Sequence, residues 1–351
     1  MNFKPLRVLL ISLKYLGWLL AIVIIVIIIR IFLIEFYYVP STSMAATLYN
    51  GDEIIVSKSS YGALLPVSPN EIPIVSGLLY IKPIRKWLGD IHWEYRRAPG
   101  WKKPLRGDIM VFKVHNSREL LIKRCVAGPG DTLKIVSDTI FINNIAQKFT
   151  GTVKLNYRWQ TFDEDYSDTT LQKIIIRRDN LIRIDTNGAV LALPIADAQR
   201  LSAFKGTKTL SLLPDTSTNS FHEFFPHIQR LRWNSSYYGP LVVPQKGASV
   251  FLDSLSLPFY RKIIEDYENK QIEASNDGIY INGKKTQHYT FCKNYYFMMG
   301  DNRHCSYDSR FQGFVPENYI IGRAKYILFS IEKDSWLKKG VRWGRTLKSI
   351  R

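Results

Sequence analysis

Cysteine is scarce in this chain of 351 residues: Cys125, Cys292 and Cys305 make an odd set with no CxxC spacing. Such a set indicates neither a disulfide framework nor a zinc site, and a Cys292–Cys305 bridge has nothing else in the sequence to support it. Acidic residues are also in deficit, 30 Asp and Glu against 48 Lys and Arg, which leaves a formal net charge of +18. The excess is not gathered into a nucleic-acid-binding tail, because no run of Lys or Arg exceeds two. An anionic membrane surface suits scattered cations better. Histidine is limited to His92, His115, His222, His227, His288 and His304, none in a recognisable triad setting. The usual base for a serine nucleophile is therefore missing. His304, among Asp301, Asn302, Arg303 and Ser306, reads as a solvated side chain in a polar turn.

What the chain has instead is one long apolar run. Over the nineteen residues 16–34 only Arg30 is charged, a length that matches the roughly 20 residues a helix needs to cross a bilayer. Arg30 lies near the far end, where a long side chain reaches the interface, and Tyr37 and Tyr38 follow as an aromatic anchor. Lys4, Arg7 and Lys14 precede the run. The positive-inside rule then keeps the N-terminus in the cytoplasm and puts everything after Tyr38 on the periplasmic or outer face of the plasma membrane. A cleavable leader competes with this reading, since Ser43-Met44-Ala45 has a small-x-small form, but its apolar core would be about 7–15 residues, shorter than this one. Residues 1–38 are expected to be a retained, single-pass anchor with the lipid bilayer as its partner.

With 46% hydrophobic and 13% aromatic residues, the remainder can bury a substantial core. Short apolar stretches at 53–57, 108–114, 139–143 and 278–282, punctuated by Gly, Pro, Asn and Asp, predict a mainly β ectodomain. Two of them echo one another, Thr139-Ile140-Phe141-Ile142-Asn143-Asn144 and Gly278-Ile279-Tyr280-Ile281-Asn282-Gly283, and each closes on a hairpin dipeptide. The echo brackets 145–277, which has strand-like pieces of its own and one helical stretch near 258–267, and reads as an inserted β-rich subdomain. Between 80 and 103, Trp87, Trp93 and Trp101 are mixed with seven Lys and Arg residues. Rings among cations suit the headgroup region of a bilayer; the plainer expectation, that these tryptophans pack back onto the core, is preferred because tryptophan is usually well buried.

Just beyond the apolar run stands Pro40-Ser41-Thr42-Ser43-Met44, a hydroxyl-rich elbow. With histidine set aside, the other base able to activate a serine is a lysine whose pKa is lowered by burial. Leu120-Leu121-Ile122-Lys123-Arg124-Cys125-Val126 supplies one: as a strand it places Lys123 on the face of Leu121 and Cys125, and Arg124 on the other. The strand closes at the turn Ala127-Gly128-Pro129-Gly130-Asp131. A third element, Gly300 to Arg310, is rich in Gly and Asx and forms a tight loop that Asp308 and Arg310 brace by pairing. Ser306 is its candidate for the reacting site.

These segments in this order resemble the boxes of bacterial type I signal peptidases. The likeness is carried by Pro40 to Met44 with Thr47-Leu48, by Arg106-Gly107-Asp108-Ile109-Met110-Val111-Phe112, by Lys123 to Asp131, and by Gly300-Asp301-Asn302-Arg303 with Ser306, Asp308, Ser309 and Arg310. It implies a β-barrel or β-sheet catalytic core over 39–144 and 278–351, with no cofactor or metal. It also implies Ser43 as nucleophile, Lys123 as general base and Ser41 as an oxyanion-hole hydroxyl. Ser306 would orient the lysine, and Asp301, Asp308 and Arg310 would give support. Substrates would be the signal peptides of exported preproteins with an A-x-A-like site. Two positions depart from the family pattern: Ala46 stands where proline is common, which would loosen the elbow, and Cys305 replaces a polar residue beside Ser306. A non-cleaving, membrane-anchored homologue that binds peptides or joins an export complex is the alternative. A Ser/Lys self-cleaving repressor-type protease would carry a DNA-binding module, and none is seen.

Overall fold

The computed structural model describes residues 4–78, 81, 88, 90–117, 119–148, 151–162, 180–185, 188–217, 223–275, 277–332 and 340–350. An apolar helix, Lys4–Ile28, opens the chain and continues through one π-helical turn, Ile29–Leu33. Leu10–Leu33 is long and apolar enough to cross a membrane, so the stretch begins earlier than residue 16 and takes in Lys14. Nothing among the described residues covers it. That exposure separates it from the core helix of a globular protein, which hides an apolar face.

No linker follows the helix. Leu33 accepts backbone hydrogen bonds from Lys58 (2.9 Å) and Ser59 (3.4 Å), so its carbonyl already belongs to the sheet. Arg30 turns back to pair with Glu35 instead of reaching outward alone, and Lys58 Nζ closes the cluster on Glu35 Oε2 at 2.9 Å and on the Arg30 carbonyl at 2.7 Å. Tyr37 packs against the core while Tyr38 donates its hydroxyl to Asn50 Oδ1, so the two tyrosines are only partly given to an interface.

The main sheet is antiparallel and strands rich in Ile, Val and Phe build it, as β-branched and aromatic side chains suit a pleated, half-buried surface. Its strands are β1 (Ile34–Tyr38), β2 (Asp52–Ser57), β3 (Ile109–Lys113), β4 (Leu120–Ala127), β5 (Tyr295–Met299), β6 (Val315–Pro316), β7 (Ile320–Ser330) and β8 (Lys348–Ser349). They lie in the order β1-β2-β7-β3-β4-β5-β6, with β8 added to β7. Alternation divides the residues of β3 between two cores. Ile109 and Val111 pack with Met44, Leu48 and Ile54, whereas Met110 and Phe112 pack with Tyr61, Cys125 and Met298.

A second sheet joins Thr132–Val136, Thr139–Ile142, Ile145–Ala146 and Tyr238–Val242. Both echoed hairpins form, each on a two-residue turn with positive φ at both positions: Asn143 and Asn144, then Asn282 and Gly283. They belong to different sheets, the later one pairing Gly278–Ile281 with Ile272–Ser275. Within 145–277, the strands Lys154–Thr161, Leu181–Asp185, Gly188–Pro194 and Thr207–Leu212 form a sheet of their own, and all but Leu181–Asp185 contribute to a core around Trp159, Leu191 and Leu201. Tyr238–Val242, by contrast, pairs with Thr132–Val136. The helical stretch near 258–267 is a short helix, Leu257–Lys262, continued by a π turn, Ile263–Tyr267.

The tryptophans differ from the preferred expectation. Trp101 is 88% exposed and Trp93 46%, while Trp87 lies outside the described residues. The segment carrying them lies against 59–67 at glycine distance: a Cβ on Gly62 would meet the Ala98 carbonyl oxygen at 1.9 Å, and one on Gly100 the Tyr61 backbone at 2.3 Å. Backbone contact this close holds the strip on the sheet without burying its rings.

Candidate active site

After β1 the chain turns sharply. Ala45 donates to the Thr42 carbonyl at 2.9 Å and Leu48 to the Met44 carbonyl at 2.7 Å, while Met44 and Leu48 plug the core beneath. Ala46 sits at φ +76°, a left-handed value. Proline, locked near −65°, cannot take this conformation, so the departure at Ala46 brings a different backbone and not a slacker version of the same one.

The loop 300–306 grips the elbow. Asn302 donates its backbone N–H to the Ser43 carbonyl (3.0 Å) and its side-chain amide to the Thr42 carbonyl (3.1 Å). Ser43 is thereby held half-buried, with its hydroxyl facing β4. Lys123 Nζ lies 2.6 Å from Ser43 Oγ, and Ser41 Oγ lies 3.2 Å from it on another side. Lys123 is only 3% exposed and pairs across the ladder with Met110. Burial disfavours the ammonium form and lowers its pKa below the ordinary lysine value. The charge of Asp308 opposes the effect, that of Arg310 adds to it, and that of Asp301 opposes it.

Two carboxylates brace the loop. Asp301 accepts a fork from Arg124, Nε to Oδ1 at 2.8 Å and Nη2 to Oδ2 at 2.6 Å, and a further bond from Thr47 Oγ1 at 2.5 Å. Burial alone would raise its pKa, but the Arg124 hydrogen bonds and charge override this and hold the carboxyl below the usual range. Asp308 caps the helix Ser309–Gln312, receives Gly300 N–H at 3.0 Å, and takes a fork from Arg310 at 2.9 Å for each bond. The same balance, burial against the adjacent guanidinium, keeps Asp308 ionised. Ser306 is different: its hydroxyl is buried beside Gly300 and faces the Asp308 carboxylate, and it makes no hydrogen bond to Lys123.

His304 is not solvated. Its side chain is 12% exposed, with Nε2 3.2 Å from Asp138 Oδ1 and Nδ1 3.3 Å from Ser235 Oγ, so both ring nitrogens face the second sheet and its loop. Cys305 is exposed and free, as is Cys292, so no bridge joins them. Ser43 and Lys123 open into a cleft of about 670 Å³ also lined by Leu121, His115, Asp266 and Tyr307. No His, Cys, Asp and Glu cluster among the described residues fits a metal.

Sequence reasoning missed several of these partners. Arg124 as the counterion of Asp301 had a usable signal, because alternation put a guanidinium on the face of a central strand opposite Lys123, and a guanidinium buried there needs a carboxylate. Thr152, whose hydroxyl lies 2.8 Å from Thr47 Oγ1, and Lys154, whose backbone bonds Asp301 and Arg303, carried no local signal.

The family described as "Signal peptidase, peptidase S26" matches residues 12–188 and 286–329. The chain belongs to that family. Its members' chemistry makes it a serine endopeptidase, a hydrolase. Among similar proteins is a signal peptidase I of Buchnera aphidicola subsp. Baizongia pistaciae, 27% identical over 330 residues that cover 92% of this chain and 79% of that one. A second, from Buchnera aphidicola subsp. Schizaphis graminum, is 31% identical over 309 residues covering 88% and 72%. The signal peptidase I of Haemophilus influenzae is 26% identical over 340 residues, covering 96% and 76%.

Proposed function

We propose that this family member is a membrane-anchored peptidase that removes N-terminal signal peptides from exported preproteins, with Ser43 and Lys123 as its reacting pair. The observation that carries the reading is the 2.6 Å contact between Ser43 Oγ and a lysine that is 3% exposed. A lysine in such surroundings gives up its proton at lower pH than an exposed one and is thereby suited to act as a base. The similar proteins named signal peptidase I support the substrate class.

In this mechanism Ser43 Oγ attacks the carbonyl after the small residue that ends the signal peptide, and its proton passes to Lys123 Nζ. The C–N bond of the tetrahedral intermediate breaks, Lys123 gives the proton to the leaving amine, and the mature protein departs. Water then repeats the sequence on the acyl-enzyme, losing a proton to Lys123 and releasing Ser43. Ser41 Oγ and the Ser43 backbone N–H stabilise the oxyanion, a contribution of about 3–4 kcal/mol per donor. Asp301, Asp308 and Arg310 hold the loop that fixes Ser43; Ser306 serves as a dyad support only where its hydroxyl turns toward Lys123.

Leu10–Leu33 lies in the plasma membrane with Lys4 and Arg7 on the cytoplasmic side, and the ectodomain faces the periplasm or exterior. Residues 39–144 and 278–351 form the catalytic core, with 145–277 inserted. The test is cleavage of a preprotein in detergent by wild type, Ser43→Ala and Lys123→Met, with circular dichroism to check folding. A folded variant that still cuts would remove the dyad, and a wild type that binds but never cuts would favour the non-cleaving alternative.

A further inference from the structure

His304 lies in the loop that grips Ser43 and has no place in the proposed chemistry, yet its surroundings are fully built. Nε2 faces Asp138 Oδ1 at 3.2 Å as an ion-pair contact, and Nδ1 faces Ser235 Oγ at 3.3 Å. Ser235 Oγ donates to Asp215 Oδ2 at 2.8 Å, Asp215 N–H donates to Ser236 Oγ at 2.7 Å, and Ser236 Oγ donates to Asp138 Oδ1 at 2.7 Å. The contacts close into a ring. Ser235, His304 and Asp138 are the residue types of a hydrolytic triad, but the single hydroxyl hydrogen of Ser235 goes to Asp215 and is not available to the imidazole.

That use of the hydrogen dictates the protonation of the imidazole. Ser235 Oγ can only accept from Nδ1, so Nδ1 carries a hydrogen. Nε2 carries one as well, because a lone pair there would stand against the oxygen of a carboxylate that is 4% exposed. Either neutral tautomer sets one ring nitrogen against an oxygen with no hydrogen between them, whereas the imidazolium satisfies both. The charged groups around it agree. Asp138 and Asp215 flank it from two segments; burial would raise the Asp215 pKa, but hydrogen bonds from Ser217 and Ser235 and the His304 charge lower it. Burial, and after it the Asp138 charge, push the Tyr157 hydroxyl up. Arg310 donates to the carbonyls of Ser235, at 3.2 Å, and of Arg303, while its charge is met by Asp308.

Each side of the ring belongs to a different part of the fold. Asn302, two residues before His304, holds the Ser43 and Thr42 carbonyls. Asp138 lies on the turn between Thr132–Val136 and Thr139–Ile142, and Asp215 and Ser235 lie within 145–277.

We infer that His304, as an imidazolium, is a positioning residue for the reaction: it locks the loop that holds Ser43 to the second sheet and to the stretch 145–277. This rests on the reading of Ser43 as the reacting hydroxyl. Without the charge the loop loses its hold on Asp138, and Ser43 is kept less firmly against Lys123, while Leu121 and Tyr267 on the cleft wall are untouched.

The experiment uses the full chain in detergent, labelled with nitrogen-15 in histidine, with the His304 signals identified by their loss in His304→Gln. Near neutral pH both ring nitrogens of wild type should show the shifts of a protonated imidazolium, and Asp138→Asn, nearly equal in shape, should return one of them to the unprotonated position. Both variants should lower kcat for a preprotein about tenfold with KM nearly constant, because they disturb the placing of Ser43 and not the binding of the peptide. A neutral His304 in folded wild type overturns the inference, as does an unchanged kcat in Asp138→Asn or a loss carried by KM alone. Should His304→Gln fail to fold, the wild-type spectrum and Asp138→Asn still decide. A wild type that cuts nothing refutes the proposed function and the positioning role with it, whereas one that cuts with a neutral His304 refutes only the positioning role.

Discussion

Lys123 and Arg124 are consecutive on β4 and almost equally buried, but they face opposite sides of the sheet and meet opposite treatment. Arg124 enters a complete environment, a two-pronged ion pair with Asp301 and a third bond to the Gly107 carbonyl. Lys123 reaches no carboxylate within ion-pair distance among the described residues and meets the Ser43 hydroxyl. The paired cation keeps its charge and holds the 300–310 loop in place. The other is left with a solvation deficit that is relieved when it gives up a proton, and the same deficit suits it to the proposed role of base.

The largest effect that tests the contrast is loss of the base itself. Lys123→Met and Ser43→Ala should each lower the cleavage rate by about 10³-fold or more, with unfolding by urea little changed. On the opposite face the outcome should reverse. Asp301→Asn leaves Arg124 buried without its counterion and should cost about 3–5 kcal/mol, read as a lower urea midpoint; an unchanged midpoint would show that the two faces are less distinct than the geometry indicates.

pH separates the faces next. In the proposed mechanism cleavage needs neutral Lys123, so kcat/KM should rise with pH through a midpoint below the ordinary lysine value of 10.5. Because the folded pKa is lowered, the unfolded chain holds that proton to higher pH, and Lys123 adds stability only as pH climbs between the two values. The Asp301 and Asp308 contributions have the opposite placement: they are present above the ordinary carboxylate pKa of 3.8 and are lost as pH falls through their depressed folded values. A pH–rate profile and urea titrations across the same range should therefore show an alkaline rise in activity and an acid loss of stability. Coincident midpoints would contradict separate roles. The smallest effect is at the elbow, where Ala46→Gly should gain about 0.5–1 kcal/mol by relieving the left-handed φ, and Ala46→Pro should destabilise.

Much of this was legible locally. The apolar run, both Asn hairpins and the apolar face that Lys123 shares with Leu121 and Cys125 follow from periods of 3.6 and 2 within a dozen residues. What local pattern does not carry is partnership over distance. Asp301 and Arg124 lie 177 positions apart, and nothing near either names the other. Tyr238–Val242 joins Thr132–Val136 from inside a stretch that the hairpin echo had bracketed as an insertion, because an echo marks similar turns and not which edge a strand completes. His304 looked solvated since its neighbours are polar, yet those neighbours turn inward and Asp138 fills the space beside it. Trp101 was assigned to the core on composition, whereas the glycine contacts at Gly62 and Gly100 fix its backbone on the surface.

The junction at Leu33 has a mechanical consequence. Its carbonyl is shared between the end of the helix and the first turn after β2, so the helix and the sheet have no free hinge residue between them. In a bilayer, where helices tilt to fit the local thickness, such a joint works as a crank: a change of tilt swings the cleft. Bilayer thickness then enters the orientation from which a substrate must approach Ser43.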